Sequence, residues 1–294
     1  MASALNVTGL TDYVSVHKDE LFVKSVAGCK TLEYLEIMPN VKYKDALIYL
    51  DSTATLQADS CGWNPQGGDV FSEKYIEVKP VKIEKEFCWL DFQKKYANYL
   101  LNFEAGRETL PFEEKIAEAN VDAVKKAVEN LVWKGDSSLG IDGLKAQITG
   151  STESISAATG TTTTSTLDNL VAAVSVDMLA KGVDIFVSYT TFRQYVQEQN
   201  AYCCANRQLM DAAAESMDYV GDSRIRIIPV LGLEGANLIV ATSRGNLVFG
   251  TDIEGSEGVY KMWRDEKDDM VDFRIRFNAG TAVKFGDEVA YVAL

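Results

Sequence analysis

The segment from Phe112 to Leu144, FEEKIAEANVDAVKKAVENLVWKGDSSLGIDGL, constrains this chain most, because it reads as one long helix running straight into a glycine-punctuated loop. Ile116, Ala119, Ala123, Ala127 and Leu131 recur at spacings of three and four, with Val124 and Val128 alongside. That spacing predicts an amphipathic helix with a narrow, small-residue stripe. Pro111 suits its first turn, Glu113 and Glu114 suit the positive end of its dipole, and Gly135 is a natural stop. A helix this long needs a layer to bury against. The expected partner is the longest alternating apolar strand, Val271, Phe273, Ile275 and Phe277, which would join the middle and the end of the chain into one discontinuous domain.

The rest of the chain divides around this pair. Residues 1–45 lack periodicity and read as an extended arm, with a short helix near Leu32 to Met38 ended by Pro39. Residues 46–88 read as a long β-hairpin with the turn-rich tip CGWNPQGGD. Its apolar phase runs through Ile76 and Val78, then shifts to Val81 and Ile83, which places a bulge or an edge at Pro80. Trp63 at the tip either folds back on its own hairpin or anchors on a neighbour. An aromatic-striped helix is expected over 89–103 and a Ser/Thr/Gly linker over 149–166. A helix over 167–180 follows, capped by Thr166, then the strand VDIFVS, one or two helices over 190–217, and the strands RIRIIPV, NLIVAT and NLVFGTD. Ser243-Arg244-Gly245 reads as a hairpin turn between the last two, and Gly280 as a break in the terminal strand.

Composition narrows the chemistry. The 294 residues suggest about two domains, and the net charge of −14 argues against a phosphate-gripping surface. There is one histidine, His17, in a polar stretch, so a Ser-His-Asp or Cys-His constellation would have to use it. The five cysteines form no CxxC pair and fit a reduced compartment. No Walker motif, G-x-G-x-x-G or G-x-S-x-G occurs. Asp136, Asp142, Asp252, Glu254 and Glu257 read as solvated turn residues rather than a cation site. Neither a secretory signal nor an apolar run of transmembrane length is present. A pair of carboxylates meeting in space stays open, since any two of 43 acidic residues qualify.

Several short motifs occur in a telling order: W-K-G-D at 133–136, G-I-D-G-L at 140–144, V-D-I-F-V-S at 183–188, I-I-P-V-L-G-L at 227–233, N-L-V-F-G-T-D at 246–252, and the ending D-F-R-I-R-F…G…V-K-F-G-D-E-V. Their order resembles the major capsid proteins of tailed bacteriophages with the Hong Kong 97-type fold, and the fragment set looks most like those of phages of Bacteroidetes-type hosts. The resemblance implies an α+β fold. Its parts would be an N-terminal arm (1–45), an extended loop (46–88), a peripheral domain with a spine helix (89–150), an axial domain (151–262) and returning peripheral strands (263–294).

It also implies a structural subunit, acting without catalytic residues, cofactor, metal or membrane, that assembles in the host cytoplasm into the hexamers and pentamers of a virion. DNA would be enclosed without sequence-specific binding. Portal, scaffold, maturation protease and decoration proteins would be the other partners. A long hairpin and a loose arm bury little within one subunit, so burial between subunits must offset their ordering. The expected interface residues are Trp63, Asn64, Pro65, Tyr75, Ile76 and Val78 in the loop and Tyr13 and Phe22 in the arm. The competing readings are an encapsulin-like compartment, an acidic α+β carboxylate hydrolase and a tail or baseplate module.

Overall fold

The computed structural model describes residues 28–59, 66–88, 112–201, 216–220, 222–252, 260–265 and 270–294, together with His17, Glu20, Leu21, Lys24, Ser25, Lys94, Lys267 and Asp268. The expected helix over 89–103, the tip residues Trp63, Asn64 and Pro65, and the arm residues Tyr13 and Phe22 lie outside them.

The strands in chain order are β1 (Glu36–Met38), β2 (Lys44–Thr53), β3 (Gly68–Glu77), β4 (Lys79–Cys88), β5 (Gly135–Asp136), β6 (Ile141–Asp142), β7 (Ile155–Ser156), β8 (Val183–Val187), β9 (Met217–Tyr219), β10 (Asp222–Pro229), β11 (Leu238–Ser243), β12 (Leu247–Thr251), β13 (Tyr260–Asp265), β14 (Met270–Val283) and β15 (Val289–Ala293). The helices are α1 (Phe112–Lys134), α2 (Leu144–Gly150), α3 (Thr163–Ala173), α4 (Val176–Lys181) and α5 (Tyr189–Ala201). Where a helix was expected near Leu32 to Met38, the chain makes a 3-10 turn at Thr31–Glu33 and then β1.

The first sheet is organised by β14. Antiparallel β4 pairs along Met270 to Ala279, β13 along Met270 to Ile275 and β12 along Ala279 to Val283, and β1 adds parallel to β12. β14 alternates buried and less buried residues as its sequence dictates. It does not break at Gly280, which pairs with Gly250. A side chain at 280 would stand 3.0 Å from the Val78 Cα, so glycine is what lets the crossing chain pass. Lys79 to Cys88, expected as the hairpin's return strand, instead pairs with β14. Pro80 opposes Asn278 at the start of β4, and β14 is its only strand partner among the described residues.

The second sheet has six strands in the order β7-β15-β11-β8-β10-β9. One face is covered by α3, α4 and α5 through Leu167, Leu170, Met178, Phe192 and Tyr195. Helix α3 starts earlier than expected. Thr162, not Thr166, is its N-cap, in a capping box with Ser165 that uses part of the expected linker. The chain then turns at Val174 and resumes as α4, which ends at Gly182 with φ of 86°.

Helix α1 lies between the sheets. Its buried side is Ala117, Val121, Val124, Val128, Val132 and Trp133, while Ala119 and Ala127 are exposed and Ala123 is half-buried. The expected alanine stripe is therefore rotated out. Valine removes more apolar area from water than alanine, so the valine row takes the core. This row shares one hydrophobic core with Val271, Phe273, Ile275 and Phe277 of β14, as the alternation predicts, with Phe186, Ile228, Val240 and Val289 of the second sheet, and with Val230 just past β10.

Two expected divisions of the chain change accordingly. β11 and β12 are not a hairpin. The turn at Arg244 to Asn246, with Gly245 at φ of 76°, carries the chain from the second sheet to the first. The division expected between 262 and 263 does not follow the sheets either, since β12 belongs to the first sheet and β15 to the second.

Candidate assembly interface

β2 and β3 pair antiparallel from Lys44↔Glu77 to Thr53↔Gly68 and join no other strand among the described residues. Directly opposed residues share a face, so the register sorts every side chain. The inner face carries Leu47, Ile76, Tyr49 and Lys74. The outer face carries Lys44, Ile48, Glu73, Tyr75 and Phe71.

The inner face rests on the body from its root out to Tyr49 and Lys74, while Val70, farther out on that face, is exposed. Leu47 and Ile76 are buried with Val78, Val41, Val248 and Ala282. Further out, the Tyr49 and Phe285 ring centroids are 4.7 Å apart and the Lys74 Nζ lies 2.9 Å from the Glu153 Oε2. Ile76 (0% exposed) and Val78 (1%), expected at a subunit interface, are thus occupied inside the chain. The root of the hairpin needs an apolar seat of its own, and they supply it. The Val78 N–H also donates to the Tyr43 carbonyl at 2.9 Å.

The outer face is bare. Ile48 is 64% exposed, Phe71 73% and Tyr75 51%, with Tyr43 at 68% beside the root. Single exposed apolar residues need no explanation, but a row on one strand pair marks an interaction surface. Tyr75 is the expected interface residue that falls here. Ile48 and Phe71 were missed, although Ala46-Leu47-Ile48-Tyr49 is apolar on both phases and so signals a strand with two faces to cover. Lys44 Nζ lies 4.0 Å from the Tyr75 ring centroid, and the Tyr75 hydroxyl donates to Glu73 at 2.8 Å. That bond holds the phenol above its usual value of 10.0.

The first sheet's solvent face, by contrast, is ionic. The Arg274 Nε is 2.8 Å from a Glu84 oxygen and its guanidinium lies 5.1 Å from the Trp263 ring centroid, while Lys82 also reaches Glu84 at 2.8 Å.

A groove of about 420 Å³ lies between the start of α3 and α5, lined by Thr161, Thr162, Thr163, Thr191, Gln194 and Glu198 among others. The Glu198 carboxylate accepts from the Thr163 and Thr164 amides at 2.9 and 2.7 Å and from the Thr164 hydroxyl at 2.7 Å. Burial raises its pKa, but those bonds outweigh it and hold the group below 4.5. A carboxyl kept ionised in this way caps a helix and does not act as a general acid near neutrality. Among the described residues no group of three or more His, Cys, Asp or Glu side chains could hold a metal ion, and no helix is long and apolar enough to cross a membrane. His17 lies on the surface, 3.4 Å from Glu20.

No known family pattern and no curated protein matches the chain. Its fold, however, is matched along nearly its whole length. A chain of the satellite phage P4 procapsid superposes with a TM-score of 0.59 at 12% identity, covering 94% of this chain and 98% of that one. The virus-like particle from Pyrococcus furiosus gives 0.57 at 11% identity, with 95% and 99% covered. A structure from Microbacterium phage Oxtober96 gives 0.58 at 11%, with 90% of each covered. At such identities the likeness concerns the fold: this chain shares the mixed α+β fold of those chains.

Proposed function

We propose that this chain is the major capsid protein of a tailed phage, a subunit that closes with its copies into an icosahedral shell around the genome. In this reading β2 and β3 form the extended loop, α1 is the spine helix, the six-stranded sheet with α3 to α5 is the axial domain, and the β14 sheet is the peripheral domain. The observation that carries the reading is the bare apolar row Ile48, Phe71 and Tyr75, on a strand pair that extends from a body with a capsid fold. An apolar face left uncovered by its own chain is covered when a second copy lies against it. Repetition of one such contact around closed axes makes rings of five and six, and rings tile a shell.

The work is done by burial of surface rather than by a reaction. The acidic charge fits a container that encloses DNA without gripping it. Portal, scaffold, maturation protease and decoration proteins are the partners this reading calls for. Electron microscopy of the purified protein, alone and with its phage's scaffold, tests it. Closed particles, rings or regular sheets of subunits are expected; a protein that stays monomeric under both conditions contradicts it.

A further inference from the structure

We infer that the hairpin is a strap latched to its own subunit, and that the latch sets the angle at which the outer apolar row meets a neighbour. The consequence rests on the shell reading, whereas the latch is a property of a single subunit.

A two-stranded hairpin is marginal in water by itself. Among the hairpin side chains whose burial is described, only those of the root, Leu47 and Ile76, are buried. Beyond it the support comes from the inner side: Tyr49 on Phe285, and Lys74 on Glu153. Both receiving groups are held by the body. Phe285 lies in the turn between β14 and β15. Its N–H donates to the Asn246 Oδ1 at 2.7 Å and its carbonyl accepts from the Asn246 Nδ2 at 2.9 Å. Asn246 is 2% exposed and sits in the turn that links the two sheets, so the Phe285 ring stands on a buried clamp. The Lys181 Nζ lies 5.3 Å from the same ring's centroid. The Glu153 N–H donates to the Ser151 Oγ at 3.2 Å, and Gly286 leaves room beneath its side chain, where a Cβ would stand 2.7 Å from the Glu153 Cβ.

The platform is therefore rigid, and the strap leans on it through one ring contact and one solvent-accessible ion pair. Contacts of these kinds are weak and the ion pair is screened by salt. The strap can lift without unfolding the subunit. While latched, it meets a neighbour already ordered, which removes part of the entropy cost of association.

Reversing the two charges separately and together tests the latch. In the isolated subunit, Lys74→Glu or Glu153→Lys should speed amide hydrogen exchange in residues 48–53 and 68–73 by about five-fold, the scale of one surface ion pair. The double swap K74E/E153K should restore the wild-type rate. Tyr49→Ala should act like either single change, and Lys82→Glu, on a different strand, should not. Each single variant should also assemble into open or mis-sized particles, and the double swap into normal ones. Unchanged exchange in the single variants, or no rescue, overturns the latch. Normal closed shells from unlatched subunits overturn its role in geometry. A wild-type chain that never assembles counts against the shell reading instead, and the exchange measurement still decides the latch.

Discussion

The indole N–H of Trp133 donates to the hydroxyl of Thr31 at 3.1 Å, across 102 residues of sequence. One turn earlier on the same helix, the buried Glu129 carboxylate accepts from the Thr31 amide at 3.2 Å and from the Leu231 amide at 3.0 Å. Three distant segments thus meet on the last turns of α1. Gly232 permits the approach, since a side chain there would stand 3.0 Å from the Glu129 carbonyl carbon.

Glu129→Ala should destabilise the unassembled subunit by about 3 kcal/mol, because two buried amides lose their acceptor at once. Glu129→Gln keeps one carbonyl oxygen and should cost about half as much. Chemical denaturation of the two variants checks the ranking; equal stability of E129A and wild type would show the junction to be dispensable.

Cys29 belongs to the same junction, its thiol 3.4 Å from the Lys125 carbonyl. Burial, and then the Glu129 charge, push its pKa from 9.0 up to about 12. Between those values the unfolded chain has lost a proton that the folded chain keeps. The folded state therefore loses stability as pH rises from about 9 towards 12, while below 9 this group contributes no pH dependence. Exposed Cys88 should alkylate readily at pH 8 and Cys29 should not, as read by peptide mass spectrometry. Rapid labelling of Cys29 in folded protein would contradict its burial.

The valine row makes its own prediction. Val124→Ala should cost about 2 kcal/mol, because it leaves a void between two sheets. Ala127→Leu, on the exposed side, should stay within about 0.5 kcal/mol of wild type. Thermal unfolding of both tells the faces apart, and the reverse order would mean the helix is rotated as its alanine spacing suggests.

That rotation illustrates what was legible in the sequence. Helix α1 and strand β14 were, because each carries one strong period, and so was their shared core. The face of α1 was not, because alanine sits equally well in a core or in water and only the valine row breaks the tie. β11 and β12 misled for another reason. Every residue in both is buried, so neither has an alternation to specify its partner, and Ser243-Arg244-Gly245 looks the same whether it closes a hairpin or crosses between sheets. Ile76 and Val78 looked like interface residues because apolar side chains in a projecting hairpin invite that reading. Their burial depends on Val41, Val248 and Ala282, contacts that no local pattern announces. The outer row was half visible, through Tyr75.

Phe71→Glu places a charge at the outer end of that row without touching the subunit's core. The variant should fold with a stability within about 0.5 kcal/mol of wild type. It should nevertheless sediment as unassembled subunits where wild type forms particles, because an unpaired charge buried at a contact is strongly unfavourable. Particles of normal size from Phe71→Glu would remove the hairpin's outer face from the interface.

Whether this face is a contact between copies can be read from a cryo-electron microscopy map of the assembled particle with side chains resolved. In it Ile48, Phe71 and Tyr75 should lie against a neighbouring copy and be buried there. A map in which the three face solvent, with the subunits joined elsewhere, would contradict that contact.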